Sequence, residues 1–397
     1  IGIYYLIKKL WNKSVAHIFM AIYVFEPLFV LHSRVIQTDM LQALLVSASL
    51  LSVILSVEIK NNKFLYLGGI LGGLAFIEKS PSIIFLPILI FILFIYAFQN
   101  FSKFNLKRNF ISWVTQSAAF IFFWAITTYA FFPVYWERPI FALKRMTIDT
   151  FLFGFKGLNT ENYTNELYVA SSKFSPAYLN FGLFKFSEII VIGIVLIFAY
   201  SFVVLLKNRK KKPIDLKLIS LIIFSFFYFL ALQLSAKKFG RYLLVPGLSG
   251  VILIAIYYSQ LFNKVLNSRI LQNTFVYSII LIGVFNYFFY APDFGAYTNV
   301  FGKLFGASRN AGGTGSYNLA RYISTKYGAD KTIAIGDRLS FYLFYPGDVA
   351  DYSRDSVGEA DYIIPSPNEA DFLHSKGYKI IDIYKGKGNT EFQIWQK

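Results

Sequence analysis

The sequence predicts an α-helical polytopic membrane protein with a small α/β domain at its C-terminal end, outside the membrane. Three observations lead there. Apolar runs of about 18 residues or more recur along the first three quarters of the chain, and a helix of that length crosses a ~30 Å hydrocarbon core. The segments between the runs alternate in character, with every second one rich in Lys and Arg and poor in acids. After residue 291 the long runs stop and short β-branched and aromatic segments replace them. With 56% hydrophobic and 15% charged residues over 397 positions, a soluble globule of this length is excluded.

Nine spans are expected, over about 14–31, 40–57, 63–78, 81–98, 110–132, 183–206, 217–235, 242–262 and 272–291. In lipid every backbone polar group must be bonded within its own segment, so runs this long are helices. The run 63–78 is short for the core and is expected to tilt or to end deep. Residues 1–7 read as the tail of a further span, and the sequence opens inside that apolar stretch without Met, so it reads as a fragment whose N-terminus lies upstream.

Charge sets the expected orientation. The loops 8–13, 58–63, 99–109, 207–217 and 263–271 hold sixteen Lys and Arg against two acids, with "KNRKKKPIDLK" the extreme. The positive-inside rule puts these five in the cytoplasm and the loops 32–39, 79–80, 133–182 and 236–241 outside, together with the C-terminal tail. The long outer loop contains "ERPIFALKRMTIDTFLF", in which Ile140, Leu143, Met146 and Phe151 fall near helical spacing around Lys144 and Arg145. It reads as a helix lying in the interface, or else as an ordinary ordered loop.

The chain divides into a membrane domain (1–291), a linker (292–306) and an extracytoplasmic α/β domain (307–397). In the last, "KTIAIG", "FYLFY", "DYIIPS", "YKIIDIY" and "EFQIWQ" read as strands. "SYNLARYISTKYG" reads as a helix ending at Gly328, with Ser316 as N-cap. The "GGTGS" ahead of that helix has the composition of a phosphate cradle, though short glycine runs are more often plain lead-ins.

Several chemistries are excluded. Cysteine is absent, so there is no thiol catalyst, disulfide frame or Cys-based metal site. The three histidines show no ligand-type spacing. The net charge of +17 resides wholly in residues 1–291, which carry 27 basic and 10 acidic side chains, whereas 292–397 carry twelve of each. A basic membrane part points to anionic lipid rather than to nucleic acid.

Against that background a few polar residues stand out. Arg34, Lys79, Lys237, Lys238 and Arg241 lie in short outer loops, against the topological bias, and share one level of the bundle. A ring of cations at the membrane boundary suits an anion whose hydrophobic part stays in the lipid, such as a lipid-linked phosphate. Snorkelling to head groups is the alternative. Asp39 is the acid in the same layer. It sits where it can pair with Arg34, cap the following helix or act in catalysis. Glu26, Glu78 and Glu188 lie at outer ends of spans, where ionisable groups are costly. Glu26 precedes Pro27 and reads equally as a helix end near water, and Glu78 as a neutraliser of Lys79.

"SRVIQTDMLQALLVSASLLSV", "GGLAFIEKSPSIIFLP" and "SAKKFGRYLLVPGLSGVILIA" resemble three stretches of the glycosyltransferase family 39 membrane enzymes. These are of the GT-C type and are similar to protein O-mannosyltransferases and the lipid A aminoarabinose transferase. Arg34, Thr38 and Asp39 match the first motif. Gly73, Leu74, Ala75, Lys79, Ser80 and Pro81 match the second. Lys237, Lys238, Phe239, Arg241, Tyr242, Leu243 and Leu244 match the third, with Val245 before Pro246.

The resemblance implies a GT-C-like helical bundle. It also implies transfer of a sugar, with inversion, from a polyprenyl-phosphate donor to a protein, lipid or glycan outside the cytoplasm. Asp39 becomes an active-site acid, while Arg34, Lys79, Lys237, Lys238, Arg241 and Tyr242 hold the donor phosphate. The family's principal acid, from an Asp-Glu pair in the first outer loop, falls by order ahead of Ile1. No cofactor is implied with certainty, and the chemistry leaves room for a divalent cation. A flippase of lipid-linked sugars or polysaccharide is the alternative, disfavoured by charges gathered at the boundary rather than at mid-membrane. A non-catalytic sensor is a third reading. Asp39→Asn keeps a capping side chain and removes the charge. Catalytic Asp39 predicts a loss of sugar transfer in this variant of the full-length protein, measured with a lipid-phosphate sugar. Transfer at the wild-type rate would reduce Asp39 to a cap.

Overall fold

A computed structural model describes residues 1–34, 38–99, 106–150, 152, 177–207, 215–235, 240–264, 269–291, 297–304, 316–336, 341–342, 344–352, 358, 360–365, 369–386 and 391–397. Helices account for most of them, and a helix stands at every one of the nine expected spans. The first seven are α1 (Gly2–Leu10), α2 (Lys13–Phe25), α3 (Pro27–Arg34), α4 (Asp39–Glu58), α5 (Asn62–Glu78), α6 (Phe85–Phe98) and α7 (Leu106–Phe131). Glu188–Lys207, Leu216–Leu234, Leu244–Lys264 and Arg269–Tyr290 follow. Six helices among the described residues are long and apolar enough to cross a membrane, and a seventh crossing arises if α2 and α3 count as one. Helix α5, with 17 residues, rises only about 26 Å, in keeping with its short apolar run. The chain is thus a multi-pass membrane protein, and large apolar side chains such as Phe122, Ile126, Leu281, Phe285 and Phe288 stand exposed on the bundle.

Two spans are broken rather than straight. Helices α2 and α3 meet at 61°. Pro27 forces the residue before it out of the helical region, and Glu26 is extended at φ −65°, ψ 116°. Glu26 is not a helix end near water. It is 1% exposed, and its carboxylate accepts hydrogen bonds from Ser187 N (3.0 Å) and Ser187 Oγ (2.6 Å). The expected span 183–206 is interrupted at the same place: the helix Ala177–Lys185 stops and a new one starts at Glu188. Glu188 accepts from Tyr297 Oη (2.8 Å) and Val300 N (2.8 Å). Asn299 donates to the carbonyls of Leu183 (2.6 Å) and Phe186 (2.8 Å). Residues 297–304, which read as linker, are therefore fastened to the bundle.

Helix α5 is held by its glycines. A side chain at Gly69 or Gly73 would collide with α7: a Cβ at Gly73 would stand 2.7 Å from the Trp124 carbonyl oxygen, and one at Gly69 2.8 Å from that of Phe120. On the opposite face a Cβ at Gly68 would stand 2.8 Å from Val53 of α4, and one at Gly72 2.6 Å from Phe85 of α6. Two small-xxx-small faces thus let α5 pass between its neighbours at near-backbone contact, the usual device for close helix packing in lipid. Ser49 Oγ donates to the Gly68 carbonyl (2.6 Å) and fixes the α4–α5 register.

The outer-loop segment expected to form a helix does so, as Pro139–Lys144 continuing through one π-helical turn, Arg145–Asp149. Ile140, Leu143, Ile148 and Leu152 are exposed, while Met146 packs on the core and receives a contact from Tyr135 Oη (3.7 Å). Phe151 lies outside the described residues.

The C-terminal domain is a five-stranded sheet, ordered β2-β1-β3-β5-β4, from β1 (Ile333–Ile335), β2 (Val349–Asp351), β3 (Tyr362–Ile364), β4 (Lys379–Lys385) and β5 (Glu391–Gln396). β1 pairs parallel with β2 and β3, and β5 pairs antiparallel with β3 and β4. The helix Ser316–Tyr327 covers one face through Leu319, Ala320 and Ile323, and Gly328 ends it at φ +103°. The segment "FYLFY" is a correction, being a helical turn and not a strand. Tyr345 N donates to the Phe341 carbonyl (3.1 Å), and Phe341 and Tyr345, four apart, are buried while Tyr342 and Phe344 are exposed. The missing strand is β2, whose Val-Ala-Asp carries almost no sequence signal. "GGTGS" lies at the edge of, and almost wholly outside, the described residues.

Asp382 pins β4 to the covering helix, accepting from Lys326 Nζ (2.6 Å), Tyr327 Oη (2.8 Å) and Tyr322 Oη. The Lys326 ammonium, followed by the Tyr322 hydroxyl, holds the Asp382 carboxyl well below the usual carboxylate range. A carboxyl lowered by folding contributes stability that is complete above its unfolded value, about pH 4, and is lost as pH falls through its folded value. Hydrogen exchange of the β4 amides, corrected for intrinsic rates, should therefore lose protection below about pH 4, and Asp382→Asn should flatten that dependence. In the bundle, Gly73→Ala should destabilise the protein in detergent by about 1–3 kcal/mol, the usual range for overpacking. Gly182→Ala, with nothing within 4 Å of the added Cβ, should leave the melting temperature unchanged.

Candidate functional site

The site is assembled at one end of the bundle from three separate elements. Asp39 is the first residue of α4. Lys79 is the residue that follows α5, extended at φ −156°, ψ 119°, because Pro81 opens a 3-10 turn (Ser80–Ile84) that turns the chain into α6. Arg241 and Tyr242 lie in a second such turn, Gly240–Leu243, immediately ahead of the helix Leu244–Lys264. Each functional side chain thus sits at a helix end, where the backbone is anchored in the bundle and the side chain is free to turn toward the axis of the site.

These three charges converge. The Lys79 ammonium is ion-paired and hydrogen-bonded to Asp39 Oδ1, and Arg241 Nε lies 3.8 Å from Asp39 Oδ2. The Asp39 side chain is 4% exposed, against 23% for Lys79 and 22% for Arg241, so the carboxylate is enclosed and the cations form its open side. Tyr242 sits beneath both, its ring centroid 5.1 Å from Lys79 Nζ and 5.9 Å from Arg241 Cζ, at cation–π distance. A cation placed over an aromatic face and beside one carboxylate keeps its charge but is restrained in position. The three formal charges sum to +1.

Neutral hydrogen bonds hold the frame. Gln42, one turn beyond Asp39, donates to Ser82 Oγ (2.7 Å), and Ser82 donates to the Ala75 carbonyl (2.9 Å). This ties the start of α4 to the turn after Lys79. Thr150 Oγ1 donates to Ser80 Oγ (2.8 Å), which joins the end of the outer-loop helical segment to the same turn.

Asp39 does not cap α4. Thr38 holds the cap position without a side-chain bond to the helix, and the Asp39 carboxylate is turned to Lys79 and Arg241. Arg34 ends α3 and is exposed. Lys79 pairs with Asp39, across from its own helix end. Lys237 and Lys238 lie outside the described residues, as do residues 35–37 of the loop between Arg34 and Asp39. A cavity among the described residues lies elsewhere, lined by Glu26, Ser187, Glu188, Gly283 and Asn286. Sequence reasoning missed Gln42 and Ser82, which carry no charge to draw notice.

Residues 1–124, which include Arg34, Asp39 and Lys79, match the family model described as dolichyl-phosphate-mannose-protein mannosyltransferase, and the resemblance read from the motifs is shown over that stretch. No curated protein matches the chain. Among solved structures the chain is similar to the apo oligosaccharyltransferase of Archaeoglobus fulgidus, at 14% identity and a TM-score of 0.44, over 91% of this chain and 52% of that one. It is also similar to ArnT from Cupriavidus metallidurans bound to undecaprenyl phosphate, at 13% identity and a TM-score of 0.45, over 99% of this chain and 81% of that one. The chain spans about half the length of the oligosaccharyltransferase.

Proposed function

We propose that the protein is a membrane glycosyltransferase that takes a sugar from a polyprenyl-phosphate donor and passes it, with inversion, to an acceptor outside the cytoplasm. The observation that carries the reading is one enclosed carboxylate, Asp39, shared by Lys79 and Arg241 at one end of the bundle. The family matched by residues 1–124, described as dolichyl-phosphate-mannose-protein mannosyltransferase, suggests the donor class, a sugar on a polyprenyl-type phosphate.

In this reading the lipid tail stays in the membrane and its phosphate meets the two cations. A base takes the proton of the acceptor hydroxyl as its oxygen attacks the anomeric carbon from the face opposite the phosphate. The C–O bond to the phosphate breaks as the new glycosidic bond forms, and the bonding pair leaves with the phosphate oxygen. Lys79 and Arg241 stabilise the charge that develops there, and Tyr242 restrains both cations. Such preorganised donors act most strongly where charge appears in the transition state. Asp39 is placed to orient a sugar or acceptor hydroxyl once the phosphate draws the cations toward itself. Arg34, Lys237 and Lys238 are assigned to the same phosphate by the motifs they belong to, and the C-terminal domain to the acceptor side.

Lys79→Ala and Arg241→Ala should each lower turnover of a polyprenyl-phosphate sugar by about 10²-fold, the scale for removing one such donor. The full-length protein in nanodiscs is the material for the measurement. Removing Lys79 alone also leaves Asp39 poorly compensated. The double variant Asp39→Asn with Lys79→Met separates the effects: it should restore the melting temperature and remain inactive. Unchanged turnover in both single variants would overturn the assignment.

A further inference from the structure

The turn that carries Lys79 is fastened from three directions. Its own stretch of chain supplies the first: Lys79 N donates to the Ala75 carbonyl (3.1 Å), and Ser82 N donates to the Lys79 carbonyl (3.0 Å). Helix α4 supplies the second, from Gln42 to the buried Ser82 hydroxyl (2.7 Å). The third comes from the long outer loop, 70 positions away in sequence, where Thr150 Oγ1 donates to Ser80 Oγ (2.8 Å).

Lys79 lies between the end of α5 and the 3-10 turn with an extended backbone, so the peptide groups on either side of it set where its side chain points. The Ala75 bond fixes the peptide before Lys79. The peptide after it runs into Ser80, the residue that Thr150 holds. Thr150 is anchored for the task. Ala142, Met146 and Thr150 recur every four residues along the outer-loop segment. Ala142 is buried and Met146 packs on the bundle core, whereas Ile140, Leu143 and Ile148 are exposed. The Arg145 carbonyl lies 3.4 Å from the same hydroxyl, too far to compete well for its one proton, so Ser80 is the main partner.

We infer that Thr150 is a positioning residue for the proposed transfer: through Ser80 it holds the turn from which Lys79 presents its ammonium to the donor phosphate. The identity of that anion as a lipid phosphate rests on the proposed function above. A pair of hydroxyls suits the task because it adds direction without adding charge beside Asp39, Lys79 and Arg241. An ammonium on a flexible four-carbon stem has little direction of its own, so the backbone that carries it must be held where the phosphate arrives. The outer loop thereby acts on the donor without touching it.

Undecaprenyl phosphate serves as the probe, and its binding to the full-length protein in nanodiscs is measured by native mass spectrometry, beside the melting temperature of each variant. Thr150→Val keeps the shape of threonine and removes the hydroxyl. It should weaken binding about fivefold, within the range for one neutral hydrogen bond. Thr150→Ser, which keeps the hydroxyl, should bind as tightly as threonine does. Ser80→Ala should match Thr150→Val, and the two changes together should cost no more than either alone, as expected of residues that act through one bond. In a Lys79→Ala background, itself weaker in binding, Thr150→Val should cost nothing further, because no ammonium is left to position. A general effect on the fold would persist there and would overturn the inference. So would wild-type binding by Thr150→Val, equal losses in the Ser and Val variants, or losses that multiply in the double variant. If Lys79→Ala fails to fold, the cycle between Thr150 and Ser80 decides. If the wild-type protein binds the probe and Lys79→Ala weakens binding while Thr150→Val does not, this inference alone falls. If the folded wild-type protein does not bind the probe at all, the proposed function falls and takes the inference with it.

Discussion

The arrangement at this end of the bundle depends on one constraint: a carboxylate cannot be enclosed near lipid without compensation. Asp39 is enclosed, and its desolvation is offset only because two cations reach it from different helices. That requirement fixes the relative placement of the start of α4, the end of α5 and the turn before Leu244. The neutral bonds among Gln42, Ser82 and Ala75 support the same placement without charge. An ion pair of this kind is poor evidence for stability on its own, since a well-packed apolar trio would do as well. Its retention at a helix-end cluster is better explained by what the cations can do when another anion arrives.

A second polar node lies where α2 bends into α3. Glu26 and Glu188 each accept two hydrogen bonds, from Ser187 and from Tyr297 and Val300 respectively. The bend itself follows from Glu26-Pro27, and the bonds keep the exposed backbone ends of three helices satisfied. This node sets the direction of α3, and α3 carries His32 and Arg34. The two polar clusters are thereby connected through eight residues of helix, one fixing the angle and the other using it.

Much of this was legible in the sequence because membrane insertion leaves few options. Runs of apolar residues gave the helices, and Pro81 and the Tyr-Leu-Leu stretch after Arg241 marked helix starts. Arg34, Asp39, Lys79 and Arg241 stood out because charge is expensive at that depth. Residues whose roles depend on partners far away in sequence were not legible. Gln42 meets Ser82 and Glu26 meets Ser187 across 40 and 161 positions, and no local pattern announces either pair. "FYLFY" failed for a different reason: a short aromatic run satisfies strand and helical-turn patterns equally, and only the burial of Phe341 and Tyr345 on one side decides between them.

The glycine faces of α5 have a consequence of their own. Because the α7 backbone on one side and Val53 and Phe85 on the other close on its glycines, α5 has little room to rotate, and Lys79 inherits its position from a strut rather than from its own rotamer. Small additions anywhere along Gly68–Gly73 will therefore be felt at the ammonium group, several residues away. A mutational scan for activity will score these glycines alongside the charged residues, although none of them carries a functional group.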